Sequence, residues 1–169
     1  LDAVLFGVTE GWKVADAIAR SGVPVVVGPV LDLPSDEYDP YDCAFANPAV
    51  LQRAGVDIAI QAADQENPRN VAFHAAMAAA YGLPEDEAVR AITLGAAEML
   101  GVDDELGSLE PGKIADLVIT EGHLLEVAAP VRYVYIDGQL VSTENRQTRF
   151  YKKYQERLKR AQEEEKSSK

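Results

Sequence analysis

Apolar residues follow two rhythms along this chain. Ala3-Val4-Leu5-Phe6 begins a continuous apolar run that predicts a short buried strand over residues 3–8. Trp12, Ala15, Ile18 and Ala19 recur at spacings of three and four, which predicts a helix from Trp12 to Ser21 with Gly22 as its stop. Val23-Pro24-Val25-Val26-Val27 is a β-branched run suited to a parallel strand covered on both faces. After a loop rich in Pro and Asp over residues 28–40, Asn47-Pro48 opens a second predicted helix through Leu51 to Ala54, closed by Gly55. Val56-Asp57-Ile58-Ala59-Ile60 reads as a third strand, and residues 61–69 read as a polar loop. Val71 to Tyr81 predicts an alanine-rich helix ended by Gly82. Pro84 starts another that runs to about Leu100, with Glu85, Asp86 and Glu87 favourably placed in its first turn.

The order βα, βα, βα, α implies a parallel sheet with right-handed crossovers. Functional residues in such folds lie on the loops after the carboxyl ends of the strands. Here those loops are residues 8–11, 28–41 and 61–70. Three parallel strands alone leave two unpaired edges, which a barrel of eight βα units would remove. Three of eight units is what the C-terminal end of a barrel would look like. The chain opens on Leu1, with no charged leader, and enters an apolar segment at once, so it is expected to be a piece of something longer.

After Gly101 the rhythm changes. Ser108-Leu109-Glu110-Pro111-Gly112 is a turn, residues 114–120 and 131–136 read as strands, and Asp137-Gly138 is a hairpin signal returning through residues 139–142. From Arg146 onward Phe150, Tyr154, Leu158 and Ala161 form a helical stripe. Residues 1–101 are therefore read as the βα portion, 102–143 as a small antiparallel unit and 144–169 as a charged amphipathic tail.

Charge sharpens that division. The 169 residues are 47% apolar and carry a net charge of −12. Residues 1–143 hold 7 Lys/Arg against 23 Asp/Glu, whereas residues 144–169 hold 9 against 5. An acidic body argues against nucleic acid as a partner, because phosphate contacts need clustered Lys and Arg. No apolar run approaches the roughly 20 residues of a membrane span, so no membrane partner is expected. A single cysteine, Cys43, excludes an internal disulfide framework and a cysteine zinc site. Two histidines, His74 and His123, argue against a self-contained multi-histidine metal site.

One segment is specific. Gly107-Ser108-Leu109-Glu110-Pro111-Gly112-Lys113-Ile114-Ala115-Asp116-Leu117-Val118 closely resembles the motif near the C-terminus of the amidohydrolase superfamily, in the subgroup of imidazolonepropionase-like and dihydroorotase-like metal-dependent hydrolases. Ala91-Ile92-Thr93 with residues 96–101 resembles the helix before that motif, and Val134 to Gly138 resembles the strand and turn after it. The likeness spans roughly residues 3–143. It implies an α/β fold comprising the C-terminal three βα units of a (β/α)8 barrel plus part of a small β-sandwich. The motif's own job is read as structural, a turn and strand of that sandwich.

The resemblance further implies a divalent metal, zinc first, at the carboxyl face of the complete barrel. It gives the aspartate that ends the last strand to Asp64, as metal ligand and as acceptor of the attacking water's proton. Read from the residues alone, Asp64 is equally an aspartate capping a polar turn. The chain has no His-x-His, and Gly7-Val8-Thr9-Glu10 stands where many relatives place a metal-binding histidine. One aspartate cannot hold a catalytic divalent ion against water.

Four further residues are candidates for substrate contact. Glu10 follows the first strand and could line the site. Arg69 and Asn70 either contact an anionic group or cap the next helix. His74 either reaches the mouth of the site from the start of its helix or packs within the fold. Trp12 and Lys13 read as helix packing and solvated charge, Cys43 as non-catalytic, His123 as an exposed loop residue and the Asp32–Asp42 stretch as a solvated loop without a calcium-loop pattern.

Two readings follow. In the first, the chain is the C-terminal segment of an amidohydrolase-type enzyme that cleaves amide, cyclic amide or amidine C–N bonds of a small-molecule substrate. Its partner is then the missing N-terminal barrel half or a second copy. In the second, it is a non-catalytic barrel fragment that acts by association, through its sheet edges and tail.

Overall fold

The computed structural model describes residues 3–62 and 68–167. Three short strands, β1 (Leu5–Val8), β2 (Val25–Val27) and β3 (Ile58–Ile60), form a parallel sheet in the order β1-β2-β3. Helices α1 (Ala15–Ser21) and α2 (Cys43–Arg53) are the crossovers. Helices α3 (Val71–Ala80), α4 (Glu85–Ala91) and α5 (Leu94–Leu100) follow β3. A second sheet is antiparallel, built from β4 (Leu117–Thr120), β5 (Val131–Ile136) and β6 (Gln139–Val141). The chain then enters α6 (Arg146–Ser167). No helix among the described residues is long and apolar enough to cross a membrane.

The core lies between the parallel sheet and its helices. Val25, Val27, Leu51, Ile58, Ile60, Ala75, Ala78 and Ala88 are all buried in one cluster. The β-branched run forms the predicted parallel strand, buried on the face of Val25 and Val27 and half-buried at Val26 on the other. Val25 and Val27 on the central strand are 0% and 1% exposed, since helices cover one face and neighbouring strands flank both edges. The alanine-rich face of α3 permits close approach to the sheet, leaving Ala75 and Ala78 fully buried. β1 differs: Leu5 is half-exposed and Phe6 is 75% exposed. An apolar strand with an open edge is a template for further pairing.

Three boundaries differ from the sequence expectations. Trp12 belongs to a short 3-10 turn, Gly11–Lys13, and α1 begins at Ala15. Gly11 lets this turn sit on the core, because a Cβ there would lie 2.8 Å from Val8 Cγ1 and 3.0 Å from Leu51 Cδ1. α2 begins at Cys43, four residues before Asn47, and carries Pro48 inside it. Proline forfeits one helical hydrogen bond, and Asn47 spends its amide outside the helix, as described below. The single helix expected over residues 84–100 is broken at Ile92-Thr93. Thr93 turns its hydroxyl onto the Val89 carbonyl at 2.7 Å. The break lets Gly95 lie against β3, where a Cβ would stand 3.3 Å from the Ile58 carbonyl.

The motif of residues 107–118 joins the two sheets. Lys113 Nζ donates to Ser108 Oγ at 2.6 Å and pairs with Glu110, while Ser108 Oγ donates to Glu110. These three side chains close the Pro111-Gly112 turn. Their proximity lowers the Glu110 pKa, first through Ser108 and then through Lys113. Asp116 Oδ1 accepts the Asp137 amide at 2.7 Å, tying the motif to the hairpin between β5 and β6. The motif thus makes turns and strand junctions. Gly107 is its tightest point: φ is +90° and a Cβ would meet Ala97 Cβ at 2.7 Å and Leu94 Cα at 2.9 Å. Gly107→Ala is expected to cost about 2–3 kcal/mol of stability, because both backbone strain and overpacking oppose it. Urea unfolding followed by circular dichroism measures this, and an unchanged midpoint would refute the packing argument.

Candidate functional site at the carboxyl ends of the strands

The loops after β1, β2 and β3 meet at one end of the parallel sheet, and buried side chains from neighbouring elements hold them there. Asn47, 1% exposed, reaches from α2 to the loop after β1. Its Nδ2 donates to the Val8 and Thr9 carbonyls at 3.0 and 3.1 Å, and its Oδ1 accepts the Trp12 amide at 2.8 Å. His74, 5% exposed, reaches from α3 to the loop after β2, where Nδ1 accepts the amides of Val30 and Leu31 at 3.1 and 3.2 Å. Gln61, just past β3, donates from Nε2 to the Gly28 carbonyl at 3.3 Å. Gly28 is required there, since φ is +133° and a Cβ would fall 2.5 Å from the Gln61 carbonyl oxygen.

Each loop is thereby positioned by a side chain far away in sequence. The sequence alone marks Asn47 only as a helix start and Gln61 only as part of a polar loop. The one local signal for Asn47 is a polar residue ahead of a proline on an otherwise apolar helix face. His74 is bound into the fold at Nδ1, which leaves Nε2 carrying the ring proton. Two backbone N–H donors on Nδ1 and burial both favour the neutral ring, and burial pulls the His74 pKa down.

A consequence for pH follows. An unfolded histidine titrates near pH 6.5, and the native His74 titrates below that. Between those two values the unfolded chain binds the extra proton, so stability is full above about pH 6.5 and falls as pH drops through the window. His74→Gln removes this titration. Relative to that variant, the parent chain is expected to lose melting temperature on acidification from about pH 7.5 to 5. Parallel curves for the two proteins would sink the assignment.

At the outer rim Glu10, Asp36 and Asp39 converge on Lys13, whose Nζ lies 3.1 Å from Asp36 and 2.9 Å from Asp39 and donates also to Glu10. The carboxylates raise the Lys13 pKa, Glu10 most, so the ammonium is held charged. Lys13 is therefore the hub of an ion-pair network. These three carboxylates are the one group of metal-ligating type among the described residues. They do not fit a resident divalent ion, because the lysine ammonium already stands among them. Burial pushes the Cys43 thiol pKa up, in keeping with a non-nucleophilic role. His123 sits on the small sheet's turn, exposed and 4.0 Å from Glu85, as expected of a loop residue.

Of the candidate residues, Glu10 lies in that network. Arg69 and Asn70 lie in a 3-10 turn, Pro68–Asn70, at the entry to α3. Asn70 occupies the cap position of α3 without a capping hydrogen bond from its side chain. Asp64 lies outside the described residues.

Known proteins share this fold. A crystal structure of an amidohydrolase from Thermotoga maritima MSB8 is 35% identical and superimposes with a TM-score of 0.74, covering 83% of this chain and 37% of that one. An adenosine deaminase from Xanthomonas campestris, solved with bound Zn, is 27% identical with a TM-score of 0.53, covering 87% of this chain and 39% of that one. The imidazolonepropionase of Picrophilus torridus is 29% identical over 128 residues, which are 72% of this chain and 32% of the relative. The chain thus spans about a third of the length of each of these proteins. The mixed α/β fold is that of part of the amidohydrolase barrel enzymes, and the family generally uses a divalent metal. The amidohydrolase family pattern matches residues 45–141, more than half of the sequence, and the chain belongs to that family.

Proposed function

We propose that this chain is the C-terminal segment of an enzyme that hydrolyses C–N bonds in a small-molecule substrate, with residues 1–101 as barrel, 102–143 as sandwich and 144–169 as tail. The observation that carries the proposal is the family match over residues 45–141, together with matched proteins whose names state deamination or deacetylation. Both reactions break a C–N bond by adding water.

In the sequence Asp64 stands four residues after Ile60, between Gln61 and Pro68. Its assigned role is to take a proton from the attacking water and return it to the leaving nitrogen. A divalent metal, zinc first, would supply a water of lowered pKa in the complete protein. The described residues of this chain do not assemble its site, so most ligands must come from outside the chain. Glu10, Arg69, Asn70 and His74 are proposed as substrate-side residues; for His74 the atom concerned is Nε2. The partner in this reading is the polypeptide bearing the remaining βα units, seated along the exposed apolar edge of β1.

A second reading is favoured by that same bare edge and by Lys13 filling the carboxylate cluster. In it the chain is a non-catalytic association module. Native mass spectrometry separates the two. A complex with a second chain and bound divalent metal, releasing ammonia or acetate from a panel of amines and amides, supports the enzyme. A metal-free species inert on that panel supports the module.

A further inference from the structure

We infer that residues 32–41 form a lid across the carboxyl end of the parallel sheet and that Lys13 is its latch; this inference stands independently of the proposed hydrolysis. A strand-to-helix connection ordinarily takes about 2–6 residues. The connection from β2 to α2 is far longer and runs from Gly28 to Asp42. Connections of that length in a packed fold serve as lids and binding loops. This one crosses from one side of the central strand to the other. Its start is tied toward β3, where Gln61 donates to the Gly28 carbonyl at 3.3 Å and His74 of α3 accepts the Val30 and Leu31 amides at 3.1 and 3.2 Å. Its far part is tied toward β1, where Lys13, in the turn that follows that strand, reaches Asp36 and Asp39 at 3.1 and 2.9 Å.

The two anchorages differ in kind. His74 is buried and binds backbone amides, so its end of the connection is part of the core. Lys13 acts at the rim and through charge. One ammonium serves Glu10 on its own turn and both carboxylates of the lid. Asp39 is only 11% exposed, so its attraction to Lys13 is screened less than that of a surface pair. The carboxylate oxygens of Glu10, Asp36 and Asp39 lie within 4.8 Å of one another. Like charges at that spacing repel. The same three carboxylates therefore hold the lid closed while the ammonium stands among them and drive it open once the ammonium is gone.

The segment between the anchorages is built to bend. Residues 32–35 belong to no helix or strand and hold themselves by a local bond, Leu33 N to Asp32 Oδ1 at 2.8 Å. Beyond them the chain is turned again, Asp39 N donating to the Asp36 carbonyl and Cys43 N to the Pro40 carbonyl, each at 3.1 Å. A few loop residues that absorb the backbone change, next to a segment that moves as a unit, are the parts of a hinged lid.

The test is hydrogen–deuterium exchange on the full chain, in whatever assembly it takes, read by mass spectrometry on fragments covering residues 29–33 and 36–43. Lys13→Met is expected to speed exchange in the second fragment, which holds the Asp39 and Cys43 amides, about tenfold. The Val30 and Leu31 amides in the first fragment are expected to keep their rate. Lys13→Arg is expected to leave both fragments slow. Lys13→Glu is expected to loosen the lid, and Lys13→Glu with Asp39→Lys to close it again, which a folding defect cannot imitate. Raising salt from about 0.05 to about 0.5 M is expected to loosen the lid of the parent and tighten that of Lys13→Met, because it screens attraction in one and repulsion in the other. The inference is overturned if parent and Lys13→Met exchange alike, if both fragments loosen together, or if salt acts with the same sign on the two proteins.

Discussion

In the assembled protein Asp64→Asn is expected to lower kcat by about 10²- to 10⁴-fold, the range for losing a positioned acid-base group. KM for the same substrate is expected to move little, because the amide keeps the size and hydrogen-bonding reach of the carboxylate. Asparagine can accept a hydrogen bond from water but cannot carry the proton onward to the leaving nitrogen. A drop confined to kcat identifies a proton carrier; a rise confined to KM points to a binding residue instead. Undiminished turnover in the variant refutes the role given to Asp64. The melting temperature serves as the control, and it is expected to stay within a degree or two, since Asp64 belongs to a polar loop of the sequence and not to the apolar strand before it.

The second large effect concerns Asn47. Its three hydrogen bonds join α2 to the loop after β1. Asn47→Ala leaves the Val8 and Thr9 carbonyls and the Trp12 amide without these partners in a buried setting. At about 1 kcal/mol for each bond lost, the expected destabilisation is roughly 3 kcal/mol. Asn47→Asp probes direction. It keeps an acceptor for the Trp12 amide but sets a carboxylate against two carbonyl oxygens. It should be at least as destabilising at neutral pH and recover in part on acidification, once the protonated acid can donate to one of them. Urea denaturation over a range of pH reads both variants. If Asn47→Ala shifts stability by less than about 0.5 kcal/mol, the loop is held by other contacts. Because Glu10 and Lys13 flank the segment Asn47 secures, the same variant is expected to loosen their ion-pair network.

Several features are legible in the amino-acid order alone. Val23 to Val27 reads as a strand because it is β-branched and without polar interruption; Val25 and Val27 on one face are buried, whereas Val26 on the other is only half-buried. Asp137-Gly138 reads as a hairpin because both positions need positive φ, and both have it. The segment from Gly107 to Val118 identifies the family, and its side chains close turns. The breaks and starts of helices are less legible. Nothing local separates one helix over residues 84–100 from two, since the separation answers to the Ile58 carbonyl facing Gly95. Nor does the local sequence place the start of α2 at Cys43, because Pro48 ordinarily marks a first turn.

The candidate site divides along the same line. Its loops follow the carboxyl ends of predicted strands, so their positions come from element order alone. What holds them does not. Asn47 meets Val8 and Thr9 across 39 and 38 residues, His74 meets Val30 across 44, and Lys13 gathers Asp36 and Asp39 across 23 and 26. Periodicity, turn chemistry and the order of strands and helices are local properties that each segment carries with it. A buried hydrogen bond or an ion-pair hub depends on which distant groups the packed sheet brings within about 3 Å, and that distance exists only once the chain has folded.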